Sequence, residues 1–176
     1  MTGPQIHLTE RSLHELAHLL PPSAVALVDA VGPVHALALI RQLPGVQLVV
    51  PKHCSANSAG ARRWAMLAEV IGQQGMHDLA KAYGGQMLEV PTCIAARTEQ
   101  RNRWLRQRFD EISAAGHTKA TAVYELGLEL AAAGWLVTHR QIERCIDQPD
   151  LTPELQQERQ AQALQPLDSR QQPLFG

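Results

Sequence analysis

At 176 residues the chain is long enough for one substantial core, or for two small ones sharing an interface. Leu, Val, Ile and Ala carry its hydrophobicity and aromatics are scarce, which favours packed helices over a β-sandwich or barrel. The formal net charge is −1, no apolar run reaches about 18 residues, and no basic-then-apolar leader opens the chain; the reading is a cytoplasmic protein with no membrane partner.

The predicted elements begin with a helix over 10–20, capped by Thr9 or Ser12, with Ser12 and Glu15 forming a capping box and Pro21-Pro22 ending it. A short apolar helix follows from Pro22 to Gly32, and Pro33 opens another that runs to about Leu43. Gly45 suits a helix end, Val46–Val50 reads as a strand closed by Pro51, and Lys52–Gly60 as a polar loop. The same helix–Gly–helix–Gly–strand–Pro order then recurs through Pro91. Beyond it come a basic amphipathic helix over Thr98–Ala115, with Trp104, Leu105, Phe109 and Ile112 on one stripe, and an Ala/Leu-rich helix over Thr118–Ala133. Trp135-Leu136-Val137 makes a tight turn, and Thr138 with Gln141 caps a third helix reaching Cys145–Ile146. A short helix around Pro153–Leu164 precedes a polar tail.

The recurrence is an internal repeat: residues 25–51 and 65–91 align without a gap at an offset of forty. Leu27/Leu67, Gly32/Gly72, Leu39/Leu79, Gly45/Gly85, Leu48/Leu88, Val50/Val90 and Pro51/Pro91 are identical, and Asp29/Glu69 and Arg41/Lys81 keep their sign. No nucleophile or titratable group recurs in a catalytic spacing, so the repeated object is architecture. The residues expected to pair strands are Val46, Leu48 and Val50 with Gln86, Leu88 and Val90, within one chain or between two.

Chemistry has few footholds. His14-Glu15-Leu16-Ala17-His18 is a literal H-E-x-x-H, which in a zinc peptidase places two His on one helix face beside a Glu that polarises metal-bound water. Only thirteen residues precede it and no third ligand follows in a family spacing, so histidines on the polar face of a helix explain it equally. Cys54, Cys93 and Cys145 lack metal-type spacing and read as reduced thiols, with His53 beside Cys54 as ordinary loop polarity. The expectation is no enzyme, no metal and no cofactor.

Charge points elsewhere. Residues 97–146 hold eight basic side chains against six acidic, whereas 147–176 hold two against five. Two helices joined by a Gly-containing turn over 118–147, the second opening with Thr138, His139, Arg140, Gln141 and Arg144, fit a helix-turn-helix. Arg spans the two acceptors of guanine and Gln the paired groups of adenine. Ile142 and Ile146 would face inward, against Val123, Leu126 and Leu130. Arg97, Arg101 and Arg108, flanked by Arg103 and Arg106, would supply phosphate contacts, with only Glu99, Asp110 and Glu111 at hand to balance them. The bland alternative is a helical hairpin with a solvated face.

Tyr83-Gly84-Gly85-Gln86-Met87-Leu88-Glu89-Val90-Pro91, Leu43-Pro44-Gly45-Val46-Gln47-Leu48-Val49-Val50-Pro51-Lys52, and the region from Arg97 to Ile146 resemble the Mor family of phage transcription activators. The resemblance covers about residues 23–147. It implies a small helical dimerisation domain with a short strand, then a C-terminal helix-turn-helix, acting on double-stranded DNA as a homodimer. The chain departs from that pattern in carrying the dimerisation unit twice, in having Thr92 where Lys is usual, and in a long turn before Thr138.

At the C-terminus Gln171, Leu174 and Phe175 resemble the peptide by which bacterial proteins dock on the replicative sliding clamp. The expected fold is mostly α with two short strands: an N-terminal helix (1–22), a duplicated dimerisation-type domain (23–96), a three-helix DNA-binding domain (97–148) and a flexible tail (149–176). The expected function is a DNA-binding transcriptional regulator of phage or mobile-element type. The alternatives are a non-catalytic interaction protein acting through strand pairing and the clamp-like peptide, and a zinc metallopeptidase.

Overall fold

A computed structural model describes residues 6–54 and 58–163. The fold is mostly α with two short antiparallel strands, as the composition and repeat predict. Helix α1 (Glu10–Glu15) is followed by a 3-10 turn at Ala17–Leu19, then α2 (Pro22–Val31), α3 (Pro33–Gln42) and β1 (Gln47–Val49). Helix α4 (Ser58–Tyr83), β2 (Met87–Glu89), α5 (Ile94–Ala114), α6 (Lys119–Ala132), α7 (His139–Ile146) and α8 (Pro153–Ala163) complete it.

The repeat reappears in the backbone. Gly32 separates α2 from α3 at φ 81°, ψ 160°, and Gly72 breaks α4 into limbs 58–71 and 73–83 at φ 75°, ψ 167°. Only glycine adopts that region at no steric cost, which is why it recurs at the same register. The other identities lie in the core: Leu27, Leu39, Leu67, Leu79, Leu88, Val50 and Val90 are buried, as are Pro51 and Pro91. The sign-conserved pairs Asp29/Glu69 and Arg41/Lys81 lie on exposed positions. The first limb of α4 starts at Ser58, so part of the stretch expected to be polar loop is helix.

The two copies pair with each other inside the chain. Strand β1 runs antiparallel to β2 with Gln47 opposite Glu89, Leu48 opposite Leu88 and Val49 opposite Met87. Bonds beyond the strands keep the symmetry: Gly45 N donates to Val90 O and Gly85 N to Val50 O, both at 2.8 Å, while Val90 N donates to Val46 O and Val50 N to Gln86 O, both at 3.0 Å. Each bond has a counterpart forty residues away, so a local two-fold axis passes between Leu48 and Leu88.

The N-terminal capping box falls one step earlier than expected. Thr9 is the cap: its hydroxyl accepts from Ser12 N at 3.1 Å and its own N–H donates to the Ser12 hydroxyl at 2.6 Å. Ser12 therefore takes the role expected of Glu15, whose carboxylate is held by Arg11 and Arg103. The N-terminal stretch does not stand apart. Leu8, Leu13, Leu16 and Leu19 enter the core of the duplicated unit, while Ile6, 2% exposed, enters a second core made with α5, α6 and α7.

Candidate nucleic-acid interface

The helix-turn-helix is assembled by caps and one apolar stripe. Thr118 caps α6; at its other end Gly134 takes φ 79° and Trp135 N donates back to Leu130 O at 2.9 Å. The Thr138 hydroxyl accepts from Gln141 N at 3.3 Å and the Gln141 Oε1 accepts from Thr138 N at 2.8 Å, so α7 starts from a reciprocal capping box. Ile142 and Cys145 are buried and Ile146 is partly so, against Val123, Leu126 and Leu130, with Leu105 and Ile112 of α5 closing the core. Burial of that stripe turns Arg140, Glu143 and Arg144 to solvent.

The expected contact residues divide into two groups. Arg140 and Arg144 are exposed, one turn apart on α7, and neither forms an ion pair or hydrogen bond among the described residues. The guanidiniums of Arg97 and Arg101 lie 6.0 and 5.3 Å from the centroid of the Trp135 ring. Such stacking is worth about 0.5–1 kcal/mol at a partly exposed site. Trp135 stands three residues before the α7 cap, so two cations of α5 are held beside the start of the exposed helix. Arg101 also donates twice to Asn102 Oδ1, at 3.2 and 2.8 Å.

The remaining residues have other employment. Gln141 directs its side-chain oxygen, and Thr138 its hydroxyl, to the cap. His139 lies back over α6, edge-on to Tyr124 at 6.3 Å, and a methyl at Gly127 would meet its Nε2 at 3.5 Å. Arg108, expected on phosphate, is chelated by Glu129 through Nε and Nη2 and by Glu111 through Nη1. The bonds to Glu129 and then Glu111 raise the Arg108 pKa and keep it charged; Arg108 in turn holds the Glu111 carboxyl low.

Arg103 and Arg106 are likewise occupied. Arg103 meets Glu15 at 3.0 Å, and Arg106 meets the buried Glu99 at 2.7 Å and Asp150 at 2.6 Å. Glu99 also accepts from Leu151 N at 3.0 Å, and the Leu151 carbonyl is 3.1 Å from His18 Nε2. This chain of contacts ties the residues after α7 to α5 and to the N-terminal turn. The sequence missed two features here: the Trp135 platform, read only as an apolar turn residue, and Leu136 beside it, which is 97% exposed.

The H-E-x-x-H segment does not build the expected metal geometry. Helix α1 ends at Glu15, so His14 closes an α-helix while His18 sits in the 3-10 turn with its Nε2 on Leu151 O. Glu15 is hydrogen-bonded to Arg11, which above all pulls its pKa down. Among the described residues no three His, Cys, Asp or Glu side chains converge. Burial raises the thiol pKa of Cys93 and of Cys145, whereas Cys54 is exposed. The clamp-like Gln171, Leu174 and Phe175 lie outside the described residues. Comparison with protein-family models, with curated proteins and with solved structures finds no match for this chain.

Proposed function

We propose that the chain is a DNA-binding transcriptional regulator of phage or mobile-element type, the function that its resemblance to the Mor family implies. The observation that carries this is the cationic end of α7: Arg140 and Arg144 stand exposed without a carboxylate partner among the described residues, and Trp135 holds Arg97 and Arg101 alongside. A helix that buries one stripe and presents unpaired guanidiniums on the other fits a major groove, where Arg reads guanine and also reaches phosphate. In this reading Arg97 and Arg101 set the register on the backbone and Arg140 and Arg144 do the reading. Arg108 is structural, and the protein has no catalytic role.

The test is retention of fluorescent duplex by the folded protein. Binding is expected at about 50 mM salt and should fall steeply by about 200 mM, since each phosphate neutralised contributes about 0.9 to the logarithmic salt slope. Folded protein that retains no duplex at the lower salt removes the proposal.

A further inference from the structure

We infer that the protein reads DNA as a single chain on one asymmetric half-site, not as a dimer on a palindrome. This rests on the DNA-binding reading above and adds the form of its target. The first ground is the strand register. A two-fold dimer presents the same patch on both subunits, so that equivalent residues exchange places across the axis. Here that exchange occurs within the chain: Gln47 faces Glu89 and Val49 faces Met87, while 47 and 87, like 49 and 89, are equivalent in the repeat. The strand pairing that would bring a second chain is already made within this one. The outer edges of β1 and β2 are three residues long, too short to offer much to another strand.

The second ground is that the copies have become complementary instead of self-matching. Position 35 of the first copy corresponds to 75 of the second, and the two meet: a methyl at Gly75 would lie 2.7 Å from Cγ and Nδ1 of His35. The imidazole on one side occupies the room left by the absent side chain on the other. The pair 52/92 differs in side chain across equivalent glycines. Lys52 lies across Gly84 and Gly85, where added methyls would fall 3.3 Å from its Cα and 2.5 Å from its Cε, whereas Thr92, its counterpart, packs with its Cγ2 against Gly45. Copy one against copy one would set imidazole on imidazole and place Lys52 over Pro44 in the position of Gly84. Copy two against copy two would instead leave the place of the imidazole empty.

One duplicated unit carries one helix-turn-helix at its C-terminal side, so the stoichiometry of reading is one module per chain. A symmetric dimer of such modules would instead require half-sites spaced by about one helical turn, 10 bp.

Two measurements on the full chain test this. Light scattering over a roughly hundredfold concentration range, where a dimer would dissociate by mass action, should give 19.3 kDa throughout. Selection from random duplexes, followed by native mass of the complex on the enriched sequence, should return one motif without internal two-fold symmetry and one chain per duplex. Inverted motifs carrying two chains, a free protein at twice the monomer mass, or a bound pool without a shared motif would each overturn the single-half-site inference while leaving DNA binding intact. Folded monomer that binds no duplex would instead remove the DNA-binding reading, and this inference with it.

Discussion

Arginine 108 and arginine 140 look alike in the sequence, and their surroundings give them different work. Arg108 is fixed by two carboxylates, whereas Arg140 and Arg144 have none among the described residues. Arg140→Ala with Arg144→Ala should therefore weaken duplex affinity about tenfold or more at low salt and relax the discrimination between sequences. Arg108→Ala should leave duplex affinity unchanged and lower stability by no more than about 1 kcal/mol, since the pair is largely solvent-screened. Anisotropy titrations and thermal melts separate the two. Glu15 gives a prediction in pH. Its carboxyl is held below its ordinary value of 4.5, chiefly by Arg11, so the charged form is favoured in the fold. That stabilisation is present above the ordinary value and is lost as the pH falls through the depressed one. Wild type should melt above Glu15→Gln at neutral pH, and the gap should narrow as the pH falls through the depressed pKa. What the sequence could not supply at this scale was the partners. The acids that claim Arg103, Arg106 and Arg108 include Glu15, Asp150 and Glu129, from three other segments, and pattern within one helix is blind to them.

Among the elements, those governed by local rules were legible. Gly32 and Gly72, Gly45 and Gly85, the Pro-opened α2 and α3, and the Thr138–Gln141 box all follow from backbone preferences that act over a few residues. The N-terminal box was misplaced because Thr9-x-x-Ser12 and Ser12-x-x-Glu15 share the spacing, and the Glu15 carboxylate goes to Arg11 and to Arg103, 88 residues away. The five residues of the H-E-x-x-H pattern straddle the end of α1, which pattern alone does not reveal. The packing of the two copies is an element-scale property that a double-mutant cycle measures. Gly75→Ala gains helix propensity, yet its methyl meets the base of the His35 ring and not a flexible tip, so the net effect should be destabilising by about 1–3 kcal/mol. His35→Ala in the same chain should recover most of that loss, giving a coupling of at least about 0.5 kcal/mol. Additive effects in thermal or urea melts would show that positions 35 and 75 do not meet.

On the scale of the whole molecule, the boundaries drawn from composition are crossed by two straps. The residues after α7 return through Leu151 to Glu99, His18 and the first core, and Ile6 reaches forward into the second. The sequence signalled the two modules through their different textures. It gave no sign of the straps, because a lone Ile and a backbone carbonyl carry no pattern. The position of Ile6 bears on the order of events during synthesis. It shares a core with Leu105, Val123, Leu126 and Ile142, which are made roughly a hundred or more residues later. The duplicated unit can gather its own core once Ala96 has been made, but the helix-turn-helix waits for α7 and then closes over Ile6. That contact spans almost the full described length and is the kind that slows folding. The nascent chain therefore acquires its paired strands early and the exposed face of α7 last.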